Sequence, residues 1–164
     1  MALTSDIIAT YKGPRRVVAR FVAQGRNEVR ALLFVLIAGM MMFIAVMPYQ
    51  AREAQLDAEV PIQARMYWSA FFYILIVPIL LYLVALMLWP VVWLFRRPVT
   101  GYEVRFSMFW ALLATTPVMI LLGLTAGLIG QGPQLTAVGY LWMAVFSWFF
   151  VSGLRVRMDR LDDE

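Results

Sequence analysis

Uncharged apolar stretches alternate with short charged connectors along the chain. The stretches cover residues 31–48, 66–95, 106–129 and 135–154, and none contains Asp, Glu, Lys or Arg. A helix crossing the hydrocarbon core of a bilayer, about 30 Å thick, needs about 20 apolar residues at about 1.5 Å rise each. Each stretch reaches that length or falls within two residues of it. The pattern predicts an all-α polytopic membrane protein, a four-transmembrane-helix bundle. The stretches are continuously apolar and do not alternate at every second position, which argues against a closed β-barrel.

The N-terminal thirty residues form a basic segment of their own. Thr4 or Ser5 is read as the cap of a short helix starting at Asp6, with the acid at the positive helix end. Gly13-Pro14 breaks the chain, and Pro14 suits the first turn of a second helix that stops at Gly25. In that second helix Val17, Val18, Phe21 and Val22 share one face and Arg15, Arg16 and Arg20 line another. An apolar stripe beside an arginine face describes an amphipathic helix lying in the membrane interface, with Arg15, Arg16 and Arg20 at anionic lipid head groups. The other reading is a solvated basic tail that enforces topology. The predicted division is a cytoplasmic segment 1–30, a transmembrane domain 31–154 and a tail 155–164.

Asn27 is placed to cap the first span, with Glu28 in its first turn. The span ends at Pro48-Tyr49, and residues 51–56 either extend it or lie along the surface. Its consecutive Met40, Met41 and Met42 point in different directions around a helix, so they read as packing filler and not as a copper site. The second stretch has 30 residues, about 45 Å as a helix, and must tilt or kink. Pro78 and Pro90 supply kinks, freeing the carbonyls of Ile74 and Leu86. Trp89 and Trp93 are placed as interfacial anchors.

In the third stretch, Thr115 and Thr116 are expected to hydrogen-bond backward and relieve the kink at Pro117. Gly123-x-x-x-Gly127 offers a small-residue face for close helix packing, within the bundle or between copies. Gly130-Gln131-Gly132-Pro133-Gln134 predicts a tight turn joining the third and fourth spans as an antiparallel hairpin.

Composition agrees with this frame. Of 164 residues 63% are hydrophobic, and the mean hydropathy is +0.77, more apolar surface than a soluble domain of this size can cover. There is no Cys and no His, which removes thiolate and imidazole metal ligands, disulfides and Ser-His-Asp arrangements. The net charge of +4 lies beside the spans and reads as topology and anionic-lipid attraction; no nucleic-acid partner is expected. Thirteen of the fourteen basic residues are Arg, pointing to a GC-rich bacterial genome. The first span is expected to act as a retained signal anchor. Six basic residues precede it; Arg96, Arg97 and Arg105 follow the second span, and Arg155, Arg157 and Arg160 follow the fourth. Only Arg52 and Arg65 fall on the other side. Under the positive-inside rule both termini are cytoplasmic, and with the bacterial reading of the arginine bias the expected membrane is the bacterial inner membrane.

Against this background a family resemblance is visible. Tyr11-Lys12-Gly13-Pro14 resembles the Asp-Leu-x-Gly-Pro motif of the Yip family of multispan membrane proteins, through Gly13 and Pro14. Gly101-Tyr102 is similar to that family's Gly-Tyr motif, and Pro117 follows it in the next span. The resemblance is to the compact bacterial branch and implies a non-catalytic Yip-domain membrane protein. Eukaryotic members are associated with Rab GTPases, vesicle traffic and membrane shaping. Family members commonly have five spans where this chain supports four.

The residues themselves point away from catalysis, since a membrane active site needs ionisable or nucleophilic groups facing a protected cavity. No cofactor and no metal are expected. The expected function is membrane organisation or an accessory role in a larger complex, with the lipid bilayer and another integral membrane protein, or the chain itself, as partners. The alternative is a small transporter or channel that uses proline-broken helices to expose backbone carbonyls.

Overall fold

The computed structural model describes residues 3–57, 59–95 and 100–161. Arg96 and Arg97 of the second connector, and Asp162, Asp163 and Glu164 of the tail, lie outside the described residues. All elements among the described residues are helical: α1 (Leu3–Lys12), α2 (Pro14–Ala23), α3 (Glu28–Leu56), α4 (Ile62–Ala70), α5 (Val77–Phe95), α6 (Gly101–Ala114), α7 (Thr116–Leu128) and α8 (Pro133–Leu161). A π-helical turn, Phe71–Ile76, joins α4 to α5. Three helices are long and apolar enough to cross a membrane, and α6 with α7 forms a bent pair that passes the same test together.

Helix α1 already includes Thr4 and Ser5, so neither caps a helix beginning at Asp6. Asn27 does cap α3: its side-chain oxygen accepts from the Arg30 N–H at 3.0 Å. Helix α3 then continues through Pro48 as far as Leu56; of the two courses open to residues 51–56, extension is the one taken.

The rod from Ile62 to Leu94 accommodates Pro78 by a π turn. The Val77 N–H reaches the Phe72 carbonyl, and Pro78 has no N–H to give. A proline in a regular α-helix frees only the carbonyl four residues back, here Ile74; the π turn also leaves the Tyr73 carbonyl without these two donors. That carbonyl packs onto Gly39 of α3, where a Cβ would lie 2.5 Å from the oxygen. Any larger residue would push the rod off α3, and the contact left is a Cα–H facing a carbonyl.

The third stretch is broken, not merely kinked. Helices α6 and α7 meet at Thr115 with a bend of 52°. The Thr115 hydroxyl donates to the Leu112 carbonyl at 2.9 Å, and the Thr116 hydroxyl donates to the Leu113 carbonyl.

The pair keeps step with α3 throughout. Tyr102 meets Asn27, Trp110 meets Phe34 with ring centroids 5.0 Å apart, and Gly123 lies against Ala45 and Gly127 against Pro48. Arg52 finally donates to the Gly127 and Leu128 carbonyls at 3.3 and 3.4 Å. Gly130, at φ +93°, turns the chain in the left-handed region where glycine has no steric cost. Helix α8 returns along α6, with Gly153 against Ser107.

Helix α6 is the centre of the molecule, buried without interruption from Phe106 to Ala114. It is enclosed by α1, α3, α5 and α8, and Phe21 of α2 closes on Phe106 and Trp110. The Ile62–Leu94 rod is the least enclosed, with 11% of its most apolar window buried against 33% for α3.

Candidate functional site

The basic end of the bundle is built around the α1–α2 hairpin. Gly13 is extended, at φ −169°, and Pro14 takes the first position of α2. A Cβ on Gly13 would make only ordinary contact with the Arg16 side chain, so neither backbone nor space demands glycine there. Gly25, at φ +82°, is different: it ends α2 in the left-handed region.

Val17, Val18 and Phe21 are buried. Phe21 lies edge-on to Phe34 and Trp110 at 5.6 and 4.9 Å, with the Arg20 and Arg30 guanidinium groups 5.6 and 5.7 Å from its ring. The stripe that the sequence assigns to the membrane interface is therefore covered by the bundle. An amphipathic pattern states that one face needs apolar cover; it does not say whether lipid or protein provides it.

The three arginines divide. Arg15 and Arg16 are exposed, whereas Arg20 is paired with Asp6, whose side chain is only 9% exposed. Thr10, also buried, donates to the Asp6 backbone carbonyl at 2.8 Å. Tyr11 places its ring edge-on to Phe149 at 5.0 Å. Its hydroxyl is buried with no partner among the described residues, and burial pushes its ionisation above the usual tyrosine value.

Gly101 and Tyr102 lie elsewhere on this end. Thr100 and Glu103 cap α6 reciprocally: Thr100 Oγ1 accepts from the Glu103 N–H at 3.4 Å and Glu103 Oε2 accepts from the Thr100 N–H at 2.9 Å. The Thr100-x-x-Glu103 spacing is the sequence signal for this capping box. The Tyr102 hydroxyl accepts from the Asn27 N–H at 3.1 Å, and the Arg26 guanidinium sits 5.2 Å from its ring. Glu28 accepts from Arg26 at 2.8 Å and from Arg105 at 2.9 Å. Tyr102 thus ties the start of α6 to the α2–α3 corner. Gly101 lies beside Trp89 and Arg105 with no crowding.

Pro78 and Pro117 act through the carbonyls described above, and Pro90 lies inside α5. Gly123 and Gly127 bring α7 onto α3 so closely that a Cβ at either would fall on the Ala45 or Pro48 backbone. Beside them a cleft of about 600 Å³ opens between α3, the π turn, α7 and α8, lined by Met42, Tyr49, Tyr73, Met119 and Trp142 among others. The Trp142 indole N–H has no partner among the described residues.

Compared with protein-family models, curated proteins and solved structures, the chain matches none.

Proposed function

We propose that the chain is a non-catalytic integral membrane protein of four spans that organises membrane or serves as an accessory subunit of a larger membrane complex, with both termini on the cytoplasmic side of a bacterial inner membrane. The observation that carries this reading is the enclosed α6, whose buried Phe109 and Trp110 are packed by Tyr82 of α5, Phe21 of α2 and Phe34 of α3. A solid aromatic centre suits a body that works through its outer surfaces. Two carbonyls at the proline breaks also support it: Leu113 is served by Thr116 and Tyr73 is pressed onto Gly39, which at those two places favours packing over ion coordination. The in-step course of α6–α7 along α3 supports counting the bent pair as one crossing. The likeness of Gly13-Pro14 and Gly101-Tyr102 to Yip motifs agrees with this class.

The test is gentle purification from native membranes with intact-mass and proteomic analysis. A stoichiometric integral-membrane partner is the expected result; recovery of the monomer alone, in lipid it does not reshape, overturns the reading. One observation favours the second reading, a small transporter: the cleft beside Tyr73 and the π turn. Flux in proteoliposomes that Pro78→Ala or Pro117→Ala abolishes, with assembly intact, would establish it.

A further inference from the structure

The α1–α2 break encloses a notch of about 250 Å³ lined by Ala9, Lys12, Gly13, Arg16, Val17 and Arg20. Arg16 and Arg20, four residues apart on α2, share one helix face, and the fold-back at Gly13–Pro14 brings Lys12, the last residue of α1, into the same lining. Arg15, equally basic and adjacent in sequence, is not in the lining.

The three cations are not equivalent. Arg20 is held by the carboxylate of Asp6, which itself is buried. That pair is close to neutral as a unit and fixes the wall of the notch. Lys12 and Arg16 are exposed and bring two positive charges to it that no carboxylate among the described residues pairs. Helix α1 closes and α2 opens at the same break, so their end dipoles oppose one another and the side-chain cations carry the charge of the notch.

We propose that this notch binds one phosphomonoester, that of an anionic lipid head group. A phosphomonoester carries about 1.5 to 2 negative charges at neutral pH, matching the two free cations, whereas a phosphodiester carries about one. The covered stripe of Val17, Val18 and Phe21 holds the hairpin on the bundle, so the notch is a fixed pocket beside the membrane helices. The proposal rests on reading this basic end as the one that faces anionic lipid.

The test is native mass spectrometry of the purified full-length protein titrated with phosphatidic acid, phosphatidylglycerol and phosphatidylcholine. One phosphatidic acid is expected to bind severalfold tighter than phosphatidylglycerol. Arg16→Gln should weaken it about fivefold and Lys12→Gln with Arg16→Gln about thirtyfold, the ratios that one and two charges at an anionic surface supply. Arg15→Gln removes the same charge from the same helix and should leave binding unchanged. Equal loss in Arg15→Gln and Arg16→Gln, or equal binding of the two anionic lipids, overturns the site. Displacement by glycerol 3-phosphate at matched concentration would assign the site to a soluble phosphate and overturn the lipid. Head-group preference without any protein partner leaves the notch standing and counts against the accessory role; a partner without preference does the reverse.

Discussion

The hydroxyl of Thr116 donates to the carbonyl of Leu113, the acceptor four residues before Pro117 that the imino acid leaves without an N–H. A broken helix at this depth is tolerated only where such groups are served from within the protein. Here the residue next to the break repairs it.

Thr116→Val keeps the shape and removes the donor. The buried Leu113 carbonyl then loses its hydroxyl donor, at a cost of about 1 kcal/mol. In a Pro117→Ala background the restored N–H serves Leu113, so the same Thr116→Val change should cost far less. Unfolding midpoints of the four proteins of this cycle measure the coupling; equal costs in both backgrounds would show that the Thr116 bond does not compensate the proline.

Glycines in the bundle should separate into two kinds. A Cβ at Gly123 collides with the Ala45 backbone, whereas one at Gly139 meets nothing within 4 Å. Gly123→Ala is expected to destabilise by about 1–3 kcal/mol through overpacking. Gly139→Ala is expected to be neutral or to stabilise by up to about 1 kcal/mol through helix propensity. Thermal unfolding in one detergent compares them, and similar midpoints would count against the close α3–α7 contact.

Tyr11 gives the hairpin an alkaline limit. Its folded ionisation lies above the ordinary value of 10.0 because of burial, so the stabilisation is full below pH 10 and is lost as pH rises through the raised folded value. Tyr11→Phe should remove that part of the loss. The deleted hydroxyl has no partner among the described residues, so the change should be neutral or slightly stabilising at pH 7. Proteolytic sensitivity of residues 3–24 against pH reports the outcome; an unchanged alkaline profile in Tyr11→Phe would assign the limit to another group.

The apolar stretches, the Asn27 cap, the stop at Gly25, the turn at Gly130 and the back-bonding threonines are legible in the sequence because each depends on local chemistry. The enclosure of α6 is not. Within a membrane the residues facing lipid and those facing protein are both apolar, so Phe109, fully buried, and Leu121, exposed, look alike in the sequence. Residues 71–76 carry no local sign of a π turn, which depends on Pro78 together with the close approach of Gly39. Arg52 counts in the sequence only as a charge on the sparse side, yet it caps the end of α7. At the basic end the sequence groups Arg15 with Arg16 and Arg20 by helical face. The notch substitutes Lys12 for Arg15, because α1 and α2 fold against one another at Gly13–Pro14.

The four-span bundle rests on α6 and α7 making one crossing, and a chain without cysteine permits a direct test. Single cysteines at Gln24, Glu59 and Gln131 in the intact membrane are probed with a thiol reagent that cannot cross it. The bundle predicts that Glu59→Cys and Gln131→Cys label from one side and Gln24→Cys from the other. Labelling of Gln131→Cys from the same side as Gln24→Cys would make the bent pair a re-entrant loop and contradict the four-span account.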